Sequence, residues 1–176
     1  MKKQNWLIAM AAGAGAAGLA YALWPKNKIP KGAIVQWFDK HKYMGIWNEI
    51  ARLPNRIEKN LKNLTEEYLL NDDGTIKVIT RAYNFEKNKP VEAEGRAKFV
   101  GADTCGQLKV SYFLPIYLDY NIIDIHAGYQ YAMVCGNSFD YLWILSRGNT
   151  IPDEIRERFL AKATALGFDV AKLEWM

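Results

Sequence analysis

The chain has 176 residues, with 23 Lys and Arg against 19 Asp and Glu, half of its residues hydrophobic and 13% aromatic. That amounts to one globular domain, too rich in apolar side chains for disorder and lacking the long basic block that a nucleic-acid partner requires. Two cysteines are too few for a disulfide framework and two histidines too few for most protein-built zinc sites, so neither a metal nor another cofactor is expected.

Residues 6–24 are uncharged and follow Lys2 and Lys3. As a helix rising about 1.5 Å per residue they would form an apolar rod of roughly 28 Å, just long enough to span a bilayer. Segment 1–24 is therefore either a cleaved signal peptide, with Ala20-Tyr21-Ala22 as its A-x-A site, or an uncleaved membrane anchor. It contains no cysteine for lipid attachment, so any tether is expected to be the helix itself. Gly13-Ala14-Gly15-Ala16-Ala17-Gly18 spells G-x-G-x-x-G, but no strand precedes it and Pro25 stops the following helix too soon for a dinucleotide-binding unit. Without Lys2 and Lys3 the body holds 21 basic and 19 acidic residues and is nearly neutral. Residues 25–40, with Pro25 and Pro30, read as an extended linker, and folding is expected to begin near Tyr43.

The remaining domain, 41–176, shows strand-forming segments at intervals of about ten residues, separated by turn chemistry such as Asn71-Asp72-Asp73-Gly74 and Lys87-Asn88-Lys89-Pro90. Strands are predicted at 45–53, 62–70, 75–85, 92–101, 107–114, 118–126, 129–135 and 140–147. Eight short antiparallel strands in an up-and-down order can close into an all-β barrel without an edge, with room for one ligand. One helix is predicted, with Thr150 as N-cap and Gly167 as its stop. Its stripe of Ile155, Phe159, Ala163 and Leu166 lies on one face, suited to packing on the barrel's outside. Residues 168–174 then add a short strand or tail.

Catalysis has little support. Ser111, Ser138 and Ser146 lie in no G-x-S-x-G context, and Cys135 reads as a small buried or turn residue. Glu66 and Glu67 alternate across a strand, so one is expected in the interior and the other on the surface. Trp47, Glu49, Arg52, Tyr112, Tyr120, Tyr141 and Trp143 exceed the needs of a bare scaffold. Aromatic and aliphatic walls with a few polar groups suit an apolar ligand with a polar head. Counting strands up and down puts Cys105 and Cys135 at opposite ends, too far apart to be bridged.

Gly45-Ile46-Trp47-Asn48-Glu49 resembles the first lipocalin motif, G-x-W. Tyr141-Leu142-Trp143-Ile144-Leu145-Ser146-Arg147 is similar to that family's last-strand motif, and Gly167-Phe168-Asp169 to the bacterial outer-membrane branch. Gly95-Arg96-Ala97, Leu108–Phe113 and Tyr131–Gly136 fit the same branch. The resemblance implies an eight-stranded barrel with a C-terminal helix that binds small hydrophobic molecules, fatty acids or lysophospholipids in the bacterial branch, without enzymatic activity. It implies structural roles for Gly45, Trp47 and Arg147, with Trp47 closing the barrel floor and Arg147 lying across its ring. Alternation from Trp47 then turns Glu49 and Ala51 inward as ligand-binding candidates, joined by Phe99, Tyr112, Tyr141 and Trp143. Departures are Asn48 in place of the usual Tyr, His126 in place of an Asp, and the missing lipidated cysteine. The implied address is the periplasmic side of the bacterial envelope: the outer membrane by resemblance, an inner-membrane anchor or soluble periplasm without the lipid. The apolar segment 113–118 is expected at the rim, where it would touch membrane or pair two copies as a homodimer. An enzyme acting on a lipid or pigment, signalled by a cavity-facing Cys135, and a membrane-tethered interaction module with a filled barrel are the alternatives.

Overall fold

The computed structural model describes residues 29–176. Alternation of apolar and polar side chains yields eight antiparallel strands: β1 (Gly45–Arg52), β2 (Leu61–Leu70), β3 (Ile76–Asn84), β4 (Lys89–Phe99), β5 (Gln107–Phe113), β6 (Ile116–Ile125), β7 (Tyr131–Cys135) and β8 (Leu142–Ser146). All eight expected segments are present, with no end displaced by more than three residues. Each strand pairs with the next, and β1 pairs with both β2 and β8, which closes the sheet into a barrel. A two-residue strand, β9 (Glu174–Trp175), pairs with Ala51 and Arg52, beyond the part of β1 that pairs with β2.

The chain enters the barrel at one end, the floor, where Gly45 and Trp47 begin β1. Turns 71–75, 100–106 and 126–130 share that end, whereas turns 53–60, 85–88, 114–115 and 136–141 form the rim. The extended linker expected over 25–40 is, in its described part, a packed segment. Ile29, Ile34 and Phe38 are buried, and a 3-10 turn spans Lys31–Ala33. The Val35 amide donates to the Ile122 carbonyl at 2.9 Å and the Phe38 amide to the Thr104 carbonyl at 2.7 Å, strapping this segment to the barrel. Its apolar side chains make the difference, because a free tether would leave them in water. A short helix, α1 (Lys40–Tyr43), follows, capped by the Asp39 carboxylate accepting from the His41 and Lys42 amides. The expected signal or anchor at 1–24 and linker residues 25–28 lie outside the described residues.

Two apolar layers share the barrel wall. Trp47, Tyr68, Ile76, Val78, Ala97, Leu108, Ile122 and Leu145 pack inside. Ile50, Ala51, Ile123, Met133, Cys135, Leu142 and Ile144 face outward beneath the second helix, α2 (Asp153–Leu166), against Phe159 and Ala163. Asp124 on β6 binds Arg158 at 3.1 Å and Lys162 at 3.4 Å, pinning α2 to the wall. The helix starts later than expected. Pro152, not Thr150, occupies the N-cap, and no side chain caps it. A proline disfavours helical geometry in the residue before it, so the helix cannot begin upstream of Pro152. Gly167 ends it in the left-handed region at φ 102°, with its amide donating back into the last turn.

The floor is sealed by Trp47, fully buried, with the Arg147 guanidinium 3.8 Å from its ring centre. That guanidinium also donates to the carbonyls of Lys42, Tyr43, Met44, Ile46 and Tyr129. It thereby joins α1, β1 and the β6–β7 turn. Lysine preserves the charge but cannot present a planar fork to five carbonyls, so Arg147→Lys should cost about 2 kcal/mol or more in urea unfolding. An unchanged midpoint would show that the fork is not needed for stability.

Candidate functional site

Inside the barrel, above Trp47, phenols converge on one carboxylate. Glu66 and Tyr68 on β2 point inward opposite Thr80 and Val78, and Glu67 between them points out to Arg81 at 2.9 Å. The Tyr68 hydroxyl donates to Glu66 and lies 2.8 Å from the Tyr120 hydroxyl, which is 2.6 Å from that of Tyr43. The Tyr112 hydroxyl is 2.6 Å from Thr80 Oγ1 and 3.4 Å from Glu66 Oε1. Burial pushes all four phenols up, so they remain neutral hydrogen-bond donors. Burial likewise pushes the Glu66 carboxyl up to about 7, opposed by the Tyr68 hydrogen bond and reinforced by the nearby charge of Glu58.

Nearer the rim lies a second polar group. Arg52 donates to Glu49 Oε1 at 2.6 Å and to the carbonyls of Glu58 and Leu61 at 3.0 and 2.9 Å. Glu58 Oε2 accepts from Trp143 Nε1 at 2.9 Å and from Asn55 Nδ2 at 2.6 Å. These bonds tie the β1–β2 loop to β8, the strand beside β1, through Trp143, whose ring stacks on Tyr141. Leu61, Leu64, Ala82 and Val91 form an apolar patch on the same side of the interior. Glu66, Tyr112, Tyr120 and Trp143 are enclosed by the strands, yet each keeps part of its surface accessible. Part of each of these side chains is therefore not packed against protein.

The sequence candidates are distributed unequally around this space. Glu49 faces inward but is already engaged by Arg52, and it is only 4% exposed. Phe99 sits low, its ring centre 6.1 Å from that of Phe38. Tyr112 and Trp143 face the interior, and Tyr141 lies at the rim beside Trp143. Ala51 does not point inward. A β-bulge between Glu49 and Ala51 inserts one residue, so Ala51 aligns with outward-facing Ile144 and Arg52 with inward-facing Trp143. Simple alternation therefore exchanged Ala51 for Arg52. Tyr43, Glu58, Glu66 and Tyr68 were absent from the candidate set. Glu66 and Tyr68 were accessible through strand parity, whereas Glu58 lies in a loop whose fold depends on Arg52.

Gly95 determines where Tyr112 rests. A Cβ at Gly95 would lie 2.7 Å from Tyr112 Cδ1 and 2.9 Å from Cε1, so the ring occupies the volume of the missing side chain. Among the described residues no group of three His, Cys, Asp or Glu side chains is arranged to hold a metal ion. Cys135 belongs to the outer layer beneath α2, and burial pushes its thiol up to about 12, so the cavity-facing thiolate of the enzyme reading is not formed. Cys105 and Cys135 are both free thiols.

A closed antiparallel barrel with one helix on its wall, a Trp–Arg floor and inward-facing aromatics defines a lipocalin, and a family model for the lipocalin-like domain matches residues 38–176. The chain belongs to the lipocalin family, in the bacterial branch represented by the Blc proteins. It is 44% identical over 171 residues to the outer membrane lipoprotein Blc of Escherichia coli (strain K12), covering 97% of this chain and 96% of the relative. It is 47% identical over 148 residues to the Citrobacter freundii protein of the same name, 84% of each chain. Temperature-induced lipocalin-1 of Arabidopsis thaliana is 33% identical over 148 residues, 80% of this chain and 79% of the relative. In fold, the chain resembles insecticyanin from the tobacco hornworm Manduca sexta, with a TM-score of 0.68 and 21% identity over 86% of this chain and 84% of that one.

Two outcomes test the interior. Because Glu66 holds its proton up to about 7 in the folded state, the protein should lose stability as pH rises from about 4.5, where the unfolded carboxyl ionises, to about 7, and then level off. Glu66→Gln should flatten that slope in thermal unfolding between pH 5 and 8; an equal slope would place the titration elsewhere. Gly95→Ala should drive Tyr112 from its position, costing about 1–3 kcal/mol and breaking its contact with Thr80. Equal stability and an unshifted Tyr112 ring by NMR would contradict this packing.

Proposed function

We propose that the barrel carries a single-chain amphiphile, a fatty acid or lysophospholipid, as a storage or transport protein for membrane maintenance in the bacterial envelope. The observation behind this reading is the space above Trp47, lined by partly accessible Tyr112, Tyr120 and Trp143 together with Glu66. A sixteen-carbon chain removes about fifteen methylene or methyl groups from water, worth about 12 kcal/mol at about 0.8 kcal/mol each. Micromolar affinity needs about 8 kcal/mol, leaving about 4 kcal/mol to offset immobilisation of the ligand. The interior requires no chemical step for such a role.

The relatives' name supports the envelope address, since it describes outer membrane lipoproteins. The first cysteine of this chain is Cys105, so we assign the membrane tether, if 1–24 is retained, to apolar residues 6–24. Trp47 and Arg147 then serve as the floor, and Tyr112, Trp143 and Phe99 as the wall against which the acyl chain packs. Tyr141, beside Trp143 at the rim, meets the ligand near the mouth.

Organic extraction of the purified protein followed by mass spectrometry should release fatty acid or lysophospholipid. Tryptophan fluorescence of the stripped protein should then saturate with lysophospholipid in the micromolar range, and Trp143→Ala should weaken binding about tenfold or more. An empty extract with no fluorescence response would instead favour a ligand-free interaction module.

A further inference from the structure

We propose that the barrel docks mouth-down on an anionic lipid surface, inserting the tips of three rim loops. This rests on the carrier reading only in that an amphiphile has to enter through the mouth. Ile57 in the β1–β2 loop, Phe85 in the β3–β4 turn, and Phe113, Leu114 and Ile116 around the β5–β6 turn are all exposed at this end, Leu114 by 62% and Phe85 and Phe113 by 52% each. Their apolar surface lies in separate loops around one opening, and none of it belongs to either apolar layer of the barrel wall.

Charge identifies the surface that this end meets. Arg56 and Lys59 accompany Ile57, and Lys87 and Lys89 flank Phe85, all exposed. Against them stand exposed Glu86, bound to Asn60, and Glu58, turned inward to Trp143. The fourth rim turn carries Asp140 and folds Phe139 onto Phe168, so it takes no part. The floor differs. Trp37, Ile46 and Leu69 are exposed on that side, but the floor turns 71–75, 100–106 and 126–130 contain Asp72, Asp73 and Asp103 and no Lys or Arg. Asp73 is paired with Arg96, Asp103 with Lys40 and Asp39 with Lys42, so the charges at this end largely cancel. Apolar tips beside exposed cations at one end, with charges largely paired at the other, orient the barrel with its mouth toward anionic headgroups. An amphiphile then passes between bilayer and barrel without crossing bulk water.

Residues 6–24 alone would hold the full chain on vesicles, so depth must be read at the rim and not total binding. A nitroxide at Leu114→Cys in a Cys105→Ser background reports the rim, and one at Asp72→Cys reports the floor; Cys135 is buried. The full chain is reconstituted with phosphatidylcholine vesicles, with or without phosphatidylglycerol. With phosphatidylglycerol, the label at 114 should become several-fold more accessible to oxygen and less to a water-soluble nickel chelate, while the label at 72 remains in water. Lys59→Glu with Lys87→Glu, or high salt, should reverse the change. A water-exposed label at 114 in both vesicles, lipid contact at 72 instead, or spin–spin broadening from two mouths meeting would each overturn the proposal. Lysophospholipid binding that persists with a water-exposed 114 label sinks docking alone, whereas a lipid-immersed label without lysophospholipid binding sinks the cargo reading and leaves docking standing.

Discussion

Closure of the barrel depends on β1, the strand that meets both neighbours of the seam. Gly45 to Asn48 pair with β2, Asn48 to Arg52 pair with β8, and the two-residue β9 joins at Ala51 and Arg52. Closing a sheet removes its edges, but it also forces every wall residue to one side or the other. The bulge at Glu49–Ala51 sets that choice for the upper half of the strand. It sends Ala51 beneath α2 and brings Arg52 into the interior, where a buried guanidinium requires acceptors. Glu49 and the carbonyls of Glu58 and Leu61 accept from its two terminal nitrogens, with the Glu174 carboxylate 3.7 Å from Nε, so a single extra residue in β1 organises the β1–β2 loop and, through Glu58, the position of Trp143.

Two arginines, Arg147 and Arg52, perform comparable work at opposite ends of the barrel. Arg147 gathers backbone carbonyls under the floor and covers the buried Trp47 ring, while Arg52 gathers carbonyls and a carboxylate near the rim. Between them lies an interior that is not uniformly apolar. Tyr68 and Tyr112 donate to Glu66, a group whose burial would be costly without them, and Tyr120, Tyr43 and Thr80 extend the network. Such a network gives the deep end of the cavity polar character and leaves the apolar patch of Leu61, Leu64, Ala82 and Val91 closer to the mouth. The rim continues the pattern outward, with exposed apolar tips beside lysines and an arginine.

Much of the architecture was legible along the chain. Strand segments separated by turns give their period directly, because side chains in an extended strand alternate faces and the turns need residues such as Asn71, Asp73 and Gly74. The stripe of Ile155, Phe159, Ala163 and Leu166 gave the helix its packing face, and Gly167 its end, since both follow from local geometry. That Glu66 and Glu67 lie on opposite faces followed from the same parity, while register decided that Glu66 is the inward one. The helix start did not, because Thr150 satisfies a capping pattern but Pro152 controls the backbone.

Local periodicity thus established the strands, the helix, the separation of the two cysteines and most of the wall's parity, each being a property of a few adjacent residues. Tertiary structure decided the bulge in β1 and its exchange of Ala51 for Arg52, the strap formed by residues 29–39, and the meeting of Tyr43, Glu66, Tyr68, Tyr112 and Tyr120. The phenols come from α1, β2, β5 and β6, distant along the chain. Their convergence depends on strand register and on the absent side chain at Gly95, quantities that only pairing across the closed sheet can set.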